Sequence, residues 1–577
     1  MRLRLRELEG AAPWTPDEAD ALVATRRREA DLYHASARTA PLSADERHIV
    51  RAADAGLVWS RQFYHLIVPH WLDGDPGQPP VAPGHGERRD AEWRHLYARD
   101  VITMPDKWEY PWFAAWDLAF HCVAMARTDP ELAKAQLLLL MREWYAHPNG
   151  ALPAYEFAFG DANPPVHAWA AWRVYRLAAE SGHGKDRVFL ARAFHKALVN
   201  FGWWVNRKHQ GGRNLFEGGF LGLDNIGVFD RSRPLPGGVA LEQADATAWM
   251  AFYCTTMLAI ALELASDDRA YSDIATKFLE HFLAIAAAMN RLGAGLWDDE
   301  DGFYYDVAQV DGRPVPLRLR SLVGLVPLLA AESLDEAELE AHPRFMRRLA
   351  WSVSNEPDLM KDISCLSTGG RVRRRLLAIP SRERLVRVLR RMLDERELLS
   401  PFGIRSLSKA YADTPYVAEL GGTRHEVRYT PGESDSGLFG GNSNWRGPVW
   451  LPLNYLLIES LKRHHHFYGD TLEVECPTGS GVFLTLRAVA EELERRLARL
   501  FLPDASGRRP YQGEVHPALD AYRDHVLFYE YFHGDTGRGV GASHQTGWTA
   551  LIGNVLESIA LAREGFPVPR AETHRRG

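Results

Sequence analysis

The sequence predicts an all-α fold arranged as a two-layered helical toroid, and three observations carry that prediction. From about residue 44 onward, apolar residues recur at helical spacing in long segments separated by loops rich in Gly, Pro, Asn and Asp. Roughly a dozen such segments can be counted, and they do not alternate with strand-like stretches as a parallel α/β sheet requires. The segments are also of two kinds. "VWLPLNYLLIESL" at 449–461 and "AWMAFYCTTMLAIALELA" at 248–265 are apolar nearly all round, as helices covered on most sides must be. "FLTLRAVAEELERRLARL" at 483–500 instead carries Leu486, Val489, Leu493, Leu497 and Leu500 on one face, with Glu and Arg between them. The first kind forms an inner layer and the second a half-exposed outer one.

In chain order, the first forty residues stand apart. "RLRLREL" alternates with a period of two, as a strand does, and "TPDEADALVATRRREADLYHA" reads as a helical lead-in. A lone strand has no sheet to join, so it reads either as the remnant of a β domain that precedes the helices in longer relatives or as a disordered start. Further along, the loops at 208–242, 290–318 and 400–447 are longer than a compact bundle needs. Their Gly, Trp, Asp and Asn content favours a functional role over a spacer role. No internal repeat is visible in the sequence.

With 46% apolar and 25% charged residues, a chain of 577 residues reads as globular and can bury a large core. The formal net charge is −7, from 68 basic and 75 acidic residues interspersed, which implies neither a nucleic-acid stripe nor a polybasic membrane patch. Cys122, Cys254, Cys365 and Cys476 lie far apart and form neither a CxxC zinc module nor a disulfide framework, so a reducing compartment is expected. "MRLRLRELEG" lacks the apolar core of a secretory signal, and the longest apolar runs are short for a bilayer. A cytoplasmic location without a membrane partner follows as the expectation. Eighteen Trp, 20 Tyr and 24 Phe make a heavy aromatic load. Most of those rings belong to the core, but the apolar faces of a sugar also stack on flat rings.

Four loop-borne clusters combine aromatic with carboxylate or amide groups: "MPDKWEYPWFAAWDLAFH" (104–121), "GGFLGLDNIG" (218–227), "NSNWRGPVW" (442–450) and "FYEYFHGDTGRGVGASHQTGW" (528–548). Acid/base cleavage of a glycosidic bond needs one protonated and one ionised carboxyl in different environments. Asp224 suits the protonated role, because desolvation by Phe220, Leu221, Leu223 and Ile226 raises a carboxyl pKa. On local pattern alone, an Asx turn at Asp224 and a salt-bridged helix-end glutamate at Glu530 are the favoured readings. "HHHF" at 464–467 reads as a solvated helix end rather than a metal tract, since three adjacent histidines cannot face one ion. "DDEDG" at 298–302 fails the calcium-loop template, and "GDTGRGVGAS" lacks the lysine of a phosphate-binding loop and reads as a flexible wall beside Glu530.

The ordered set "WEYPWFAAWDLAFH", "GLDN", "NWRGPVWLPLNY" and "YEYF" followed by "GDTGRGVGASHQTGWTALI" resembles glycoside hydrolase family 63, the inverting α-glucosidases. It most resembles the bacterial branch of mannosylglycerate and glucosylglycerate hydrolases, and trehalases share a more distant version. The resemblance runs from about residue 50 to residue 565. It implies an (α/α)6 barrel, here a catalytic domain over residues 44–570 behind an N-terminal extension at 1–43, with the active site at one mouth. Carried over by motif, Asp224 is the general acid and Glu530 the general base, standing about 6.5–9.5 Å apart with a water between them.

The same resemblance implies that Trp116 and Asp117 bind the sugar in the cleaved subsite and that Trp445, Arg446 and Trp450 line that pocket. Arg446 equally suits a partnership with Glu530 that would hold the base ionised. Tyr155, with Glu156, Asp161 and Asn163 beside it, is expected at the rim, and a helix-cap role for Asp161 or Asn163 is the alternative. The expected activity is inverting hydrolysis of an α-glucosidic or α-mannosidic bond in a small glycoside or oligosaccharide. No organic cofactor or metal is implied. A non-catalytic carbohydrate-binding toroid is the runner-up, and an inverting phosphorylase a third reading against which Glu530 argues. Leu221 and "GVFDRSRPLPGG" depart from the family pattern, so the preference for a leaving group does not carry over.

Overall fold

Side chains cap the starts of the first helix and of most outer helices. Thr15 with Glu18 and Ser43 with Glu46 form capping boxes at α1 (Pro16–Ala37) and α2 (Ala44–Trp59). Asp129, Asp186, Ser381 and Thr485 do the same singly for the outer helices of four further pairs. In a computed structural model, the described residues are 15–207, 214–217, 219, 221–231, 239–291, 293, 295–355, 364–367, 373–420, 422–438, 443–513 and 525–564.

Within them, two concentric layers close into a ring. The inner layer runs α3 (Ala115–Met125), α5 (His167–Ala178), α7 (Ala244–Ala265), a 3₁₀ stretch (Leu322–Leu329), α10 (Leu451–Tyr468) and α12 (Thr546–Thr549), which continues into α13 (Ile552–Arg563). Each member packs on the next, and α12 packs back on α3. Outside them lie α2, α4 (Pro130–Leu140), α6 (Arg187–Val205), α8 (Ala270–Asn290), α9 (Arg382–Met392) and α11 (Leu486–Arg499). Six inner and six outer members among the described residues make this an (α/α)6 toroid, as the sequence predicts.

The apolar sequences sit where their periodicity places them. Every residue of α3 and of α7 is buried, whereas α11 buries Leu486, Val489, Leu493 and Leu497 on one face. Among the described residues α7 alone is long and apolar enough to cross a membrane, and all of it is covered by the ring. The fourth inner member is 3₁₀ because Pro327 inside it cannot donate to an α-helical ladder. The ring closes at Arg38, a buried guanidinium that bonds both oxygens of Asp54 on α2, and Asn554 and Glu557 on α13. A buried charge is tolerated when it is answered in this way.

Two of the long loops are more ordered than expected. β1 (Arg61–Ile67) pairs with β2 (Tyr97–Thr103) beside α2. β3 (Ala240–Glu242), β4 (Asp306–Val310) and β5 (Arg313–Leu317) form an antiparallel sheet that joins the loops at 208–242 and 290–318. The hairpin between β4 and β5 turns at Asp311 and Gly312, both left-handed with φ of 51° and 73°, the backbone a two-residue turn requires. α1 is an exposed lead-in with no buried residue. The strand expected within residues 1–14, and the expected boundary at 570, lie outside the described residues.

Candidate active site

Unlike the outer helices α2, α4, α6, α9 and α11, the inner helices α3, α5, α7, α10 and α12 start without a side-chain bond at their own N-cap. Three of these starts, α3, α10 and α12, converge on a cavity of about 410 Å³. Trp116 and Asp117 lie in the first turn of α3, Trp450 is the N-cap of α10, and Gln545 is the N-cap of α12. All four line the cavity together with Asp224 and Glu530. Helix N-termini carry positive partial charge, so this end of the ring suits acidic side chains and hydroxyl-rich ligands.

Three carboxyls face this space. Burial pushes Asp224 well above the ordinary carboxylate range, and the neighbouring Glu530 and Asp117 push it further. Leu221, Leu223 and Ile226 are fully buried around it, while Phe220 lies outside the described residues. Asp224 itself is partly exposed, but to the cavity. Asp117 is also raised well above its usual value, by burial and then by Glu530, despite its own backbone N–H and the amide of Gln545. Glu530 is raised by burial to about 7. Two donors oppose that rise: Ser443 Oγ donates to Oε1 at 2.6 Å, and the backbone N–H of Ala542 donates to Oε2 at 3.3 Å. Around neutrality Asp224 therefore keeps its proton while Glu530 can release one, a division of the kind that acid/base chemistry needs. Because the groups interact, they titrate as a set.

A clasp joins the loop of Asp224 to the loop beside Glu530. Asn225, fully buried, donates from Nδ2 to Asn444 Oδ1 at 3.1 Å, and its Oδ1 accepts from the backbone of Trp445 at 2.7 Å. Arg446 donates to the carbonyls of Asn225 and Gly227 at 2.7 and 2.9 Å. Arg446 is thus not in the described cavity wall and does not hold Glu530, contrary to both expectations; the open carbonyls of the Asp224 loop attract its fork instead. The loop itself is bent by Leu221 and Gly222, with φ of 55° and 66°. A side chain at Gly222 would place its Cβ 2.7 Å from the Trp116 ring, so the backbone here approaches the indole too closely for any other residue.

The wall is aromatic. Trp445 and Trp450 stack at 3.8 Å and 3°, Tyr531 stacks on the far side of Trp450 at 4.5 Å, and Trp116 and Trp548 close the group. Tyr155 lines the cavity near Asp161, its hydroxyl 3.4 Å from Oδ2, and Asn163 lines it while donating to the Ala154 carbonyl. The structure therefore brings Asp224, Glu530, Trp116, Asp117, Tyr155, Trp445 and Trp450 to one cavity, and leaves Arg446 beneath it.

Sequence reasoning missed several wall residues. Gln545 donates to Asp117 Oδ1 at 3.1 Å, and its own buried carbonyl oxygen has no partner among the described residues. Ser443, Tyr110, Trp112, Phe157 and Trp548 also line the space. All lie inside the four clusters or, for Phe157, between Tyr155 and Asn163, so the signal was present as membership without any sign of direction. The glycine run after Glu530 is not a flexible wall: Gly539–Val540 pairs with Tyr531–Phe532 as a short ladder. "HHHF" is not solvated, because His464 and His466 are buried in α10, the latter against Ser333 Oγ at 3.0 Å. In "DDEDG", Asp298, Asp299 and Asp301 pair with Arg318, Arg387 and Arg391, and no metal-holding cluster occurs among the described residues.

The chain has relatives among known proteins. An uncharacterized protein of Saccharomyces cerevisiae is 48% identical over 571 residues, which is 96% of this chain and 52% of that protein, so the chain spans about half the length of that relative. A probable mannosyl-oligosaccharide glucosidase of Schizosaccharomyces pombe is 27% identical over 173 residues, covering 30% of this chain and 15% of that one. The crystal structure of a GH63 mannosylglycerate hydrolase from Thermus thermophilus in complex with glucose aligns at 16% identity with a TM-score of 0.45, over 79% of this chain and 95% of that one. The family model for the mannosylglycerate hydrolase MGH1-like glycoside hydrolase domain matches residues 110–353 and 376–549, well over half of the sequence, and the chain belongs to that family.

Proposed function

We propose that the protein is an inverting glycoside hydrolase that cleaves an α-glucosidic or α-mannosidic bond in a small glycoside or oligosaccharide. The observation that carries this reading is a pair of carboxyls with divided proton affinity, Asp224 and Glu530, facing one aromatic-walled cavity. The sugar lies against the Trp116 and Trp445 rings, and Asp117 with Gln545 accepts its hydroxyls. Asp224 delivers its proton to the glycosidic oxygen as that bond breaks. Glu530 removes a proton from a water, whose oxygen attacks the anomeric carbon from the opposite face and inverts it. Release of the product lets Glu530 pass its proton to solvent and Asp224 regain one.

Residues 44–570 form the catalytic unit in this reading, with 1–43 as an extension. The reaction needs no organic cofactor and takes place in the cytoplasm. A mannosyl-oligosaccharide glucosidase among the relatives supports α-glucosides as the first substrates to try.

Proton NMR of the protein with α-glucosides and α-mannosides, including trehalose, kojibiose, nigerose, glucosylglycerate and mannosylglycerate, tests it directly. A β-sugar appearing before mutarotation is expected from at least one of them. Asp224→Asn and Glu530→Gln should each fold and bind sugar while losing at least about a hundredfold in turnover. Sugar binding without turnover across the whole panel would replace this reading with a carbohydrate-binding toroid.

A further inference from the structure

Glu530 is held in a way that the acid/base assignment does not by itself require. It is surrounded by groups that favour its protonated form. Asp106 and Glu109 approach from the turn at 105–110, Asp117 from the start of α3, and Asp224 from its own loop, with the Tyr110 and Tyr531 phenols close by. Asp106 is fully buried, and one of its oxygens shapes that turn by accepting from the backbone of Trp108 and Glu109 at 2.6 and 2.9 Å. Burial acts in the same direction. A base so placed would sit protonated unless something favoured its anion.

Among the described residues, the donors that do so are few. Ala542 N–H reaches Oε2 at 3.3 Å, while Ser443 Oγ reaches Oε1 at 2.6 Å, the short distance expected of a hydroxyl donating to a charged oxygen. Ser443 is itself buried, and the Tyr110 hydroxyl also meets it. Its neighbour Asn444 is fixed by four bonds: it donates to the carbonyls of Thr430 and Gly432, and its Oδ1 accepts from Asn225 Nδ2 and from the backbone of Arg446. The hydroxyl is thus delivered to Glu530 from a rigid point that is also fastened to the Asp224 loop. Rotating the carboxylate away from the cavity would break the Ser443 bond.

The geometry points to Ser443 as the positioning residue of the base: its hydroxyl holds the Glu530 carboxylate ionised and turned toward the water it activates. This rests on the reading of Glu530 as the general base. Ser443 forms no bond to the reacting atoms and acts only through Glu530.

The test compares Ser443→Ala and Ser443→Thr with the wild type on whichever α-glycoside turns over. Loss of a hydrogen bond to a charged group raises the pKa of Glu530, so the acid limb of the kcat/KM profile of Ser443→Ala should move to higher pH by about one unit or more. Its rate then falls about tenfold below that limb and by less than about threefold well above it, with KM little changed. α-Glucosyl fluoride, whose leaving group needs no protonation, should lose rate in parallel, because the defect lies with the base. Ser443→Thr keeps the hydroxyl and should restore the limb.

The Glu530 carboxyl can also be titrated directly by carbon NMR of glutamate-labelled protein, with Glu530→Gln to assign its signal. The midpoint should rise in Ser443→Ala even if no substrate is turned over, so failure of the hydrolase reading and failure of this inference are distinguishable. If Ser443→Ala does not fold, Ser443→Cys, a weaker donor, gives the same comparison with a smaller rise. An unchanged acid limb and an unchanged Glu530 midpoint would overturn the inference, as would a loss confined to KM.

Discussion

Gly541→Ala tests how tightly Glu530 is seated. Gly541 has φ of 71°, and a Cβ built on it would stand 2.4 Å from Glu530 Oε2, 2.8 Å from Tyr531 Cε1 and 3.0 Å from Glu530 Cβ. An ordinary contact begins near 3.4 Å, so the carboxylate must retreat by about 1 Å, a displacement that elsewhere costs about a hundredfold in rate. It has little freedom to do so, because Ser443 holds Oε1 and the Glu530 backbone is bonded to the Ala542 carbonyl at 2.8 Å. The left-handed backbone costs alanine about 1–2 kcal/mol and the overlap about 1–3 kcal/mol more. Gly541→Ala should therefore lose roughly 2–5 kcal/mol in urea unfolding and about a hundredfold in kcat/KM. A variant with wild-type stability and rate would refute the packing argument and, with it, the claim that Glu530 is fixed.

Four other outcomes are expected. The kcat/KM profile should fall as pH drops through about 7, where Glu530 takes up a proton, and a profile flat from pH 5 to 8 would contradict the base assignment. Asp224 has a folded pKa above its unfolded value, so the folded state binds more protons and stability declines as pH rises above the unfolded carboxylate pKa of about 4. Thermal melts should accordingly show Asp224→Asn more stable than wild type at pH 8, with the gap closing toward pH 3. Arg446→Met removes the donors to two loop carbonyls; it should cost about 1–3 kcal/mol in denaturant unfolding and lower kcat more than it raises KM in steady-state kinetics. Trp450→Ala leaves a cavity between Trp445 and Tyr531 and should lose about 3–5 kcal/mol by the same unfolding assay.

Residues that announce themselves by period were legible, and residues that depend on direction were not. The all-round apolar run at 248–265 and the one-faced pattern at 483–500 gave the two layers, because burial on all sides and burial on one side leave different periodicities. The 3₁₀ member at Leu322–Leu329 was hidden by its own Pro327, which a helical reading treats as a stop. The turn at Asp311 and Gly312, flanked by alternating residues, was a readable hairpin signal that the length of the loop obscured. At the site, the acidic and aromatic clusters marked Asp224, Glu530 and the tryptophans as candidates, and the resemblance to glycoside hydrolase family 63 rather than the local pattern grouped them in one site. The sequence could not say that Arg446 turns beneath the wall, or that Gln545 and Ser443 turn into it, because side-chain direction at loop positions is set by contacts with residues far along the chain.

The seam at Arg38 bears on how the protein is made. Asn554 and Glu557, which bond Arg38, lie 516 and 519 residues after it, so they and the α13 face that packs on α2 are translated long after α2. Until then the part of α2 that α12 and α13 cover stays open, and a guanidinium destined for the interior lacks its partners on α13. Such long-range closure leaves this stretch of a nascent chain open while the intervening residues are made, the condition under which large proteins aggregate or recruit chaperones. Glu530 also follows α3, α5, α7 and α10 along the chain, so under the proposed mechanism a nascent chain cannot hydrolyse a sugar until most of the inner layer has been made.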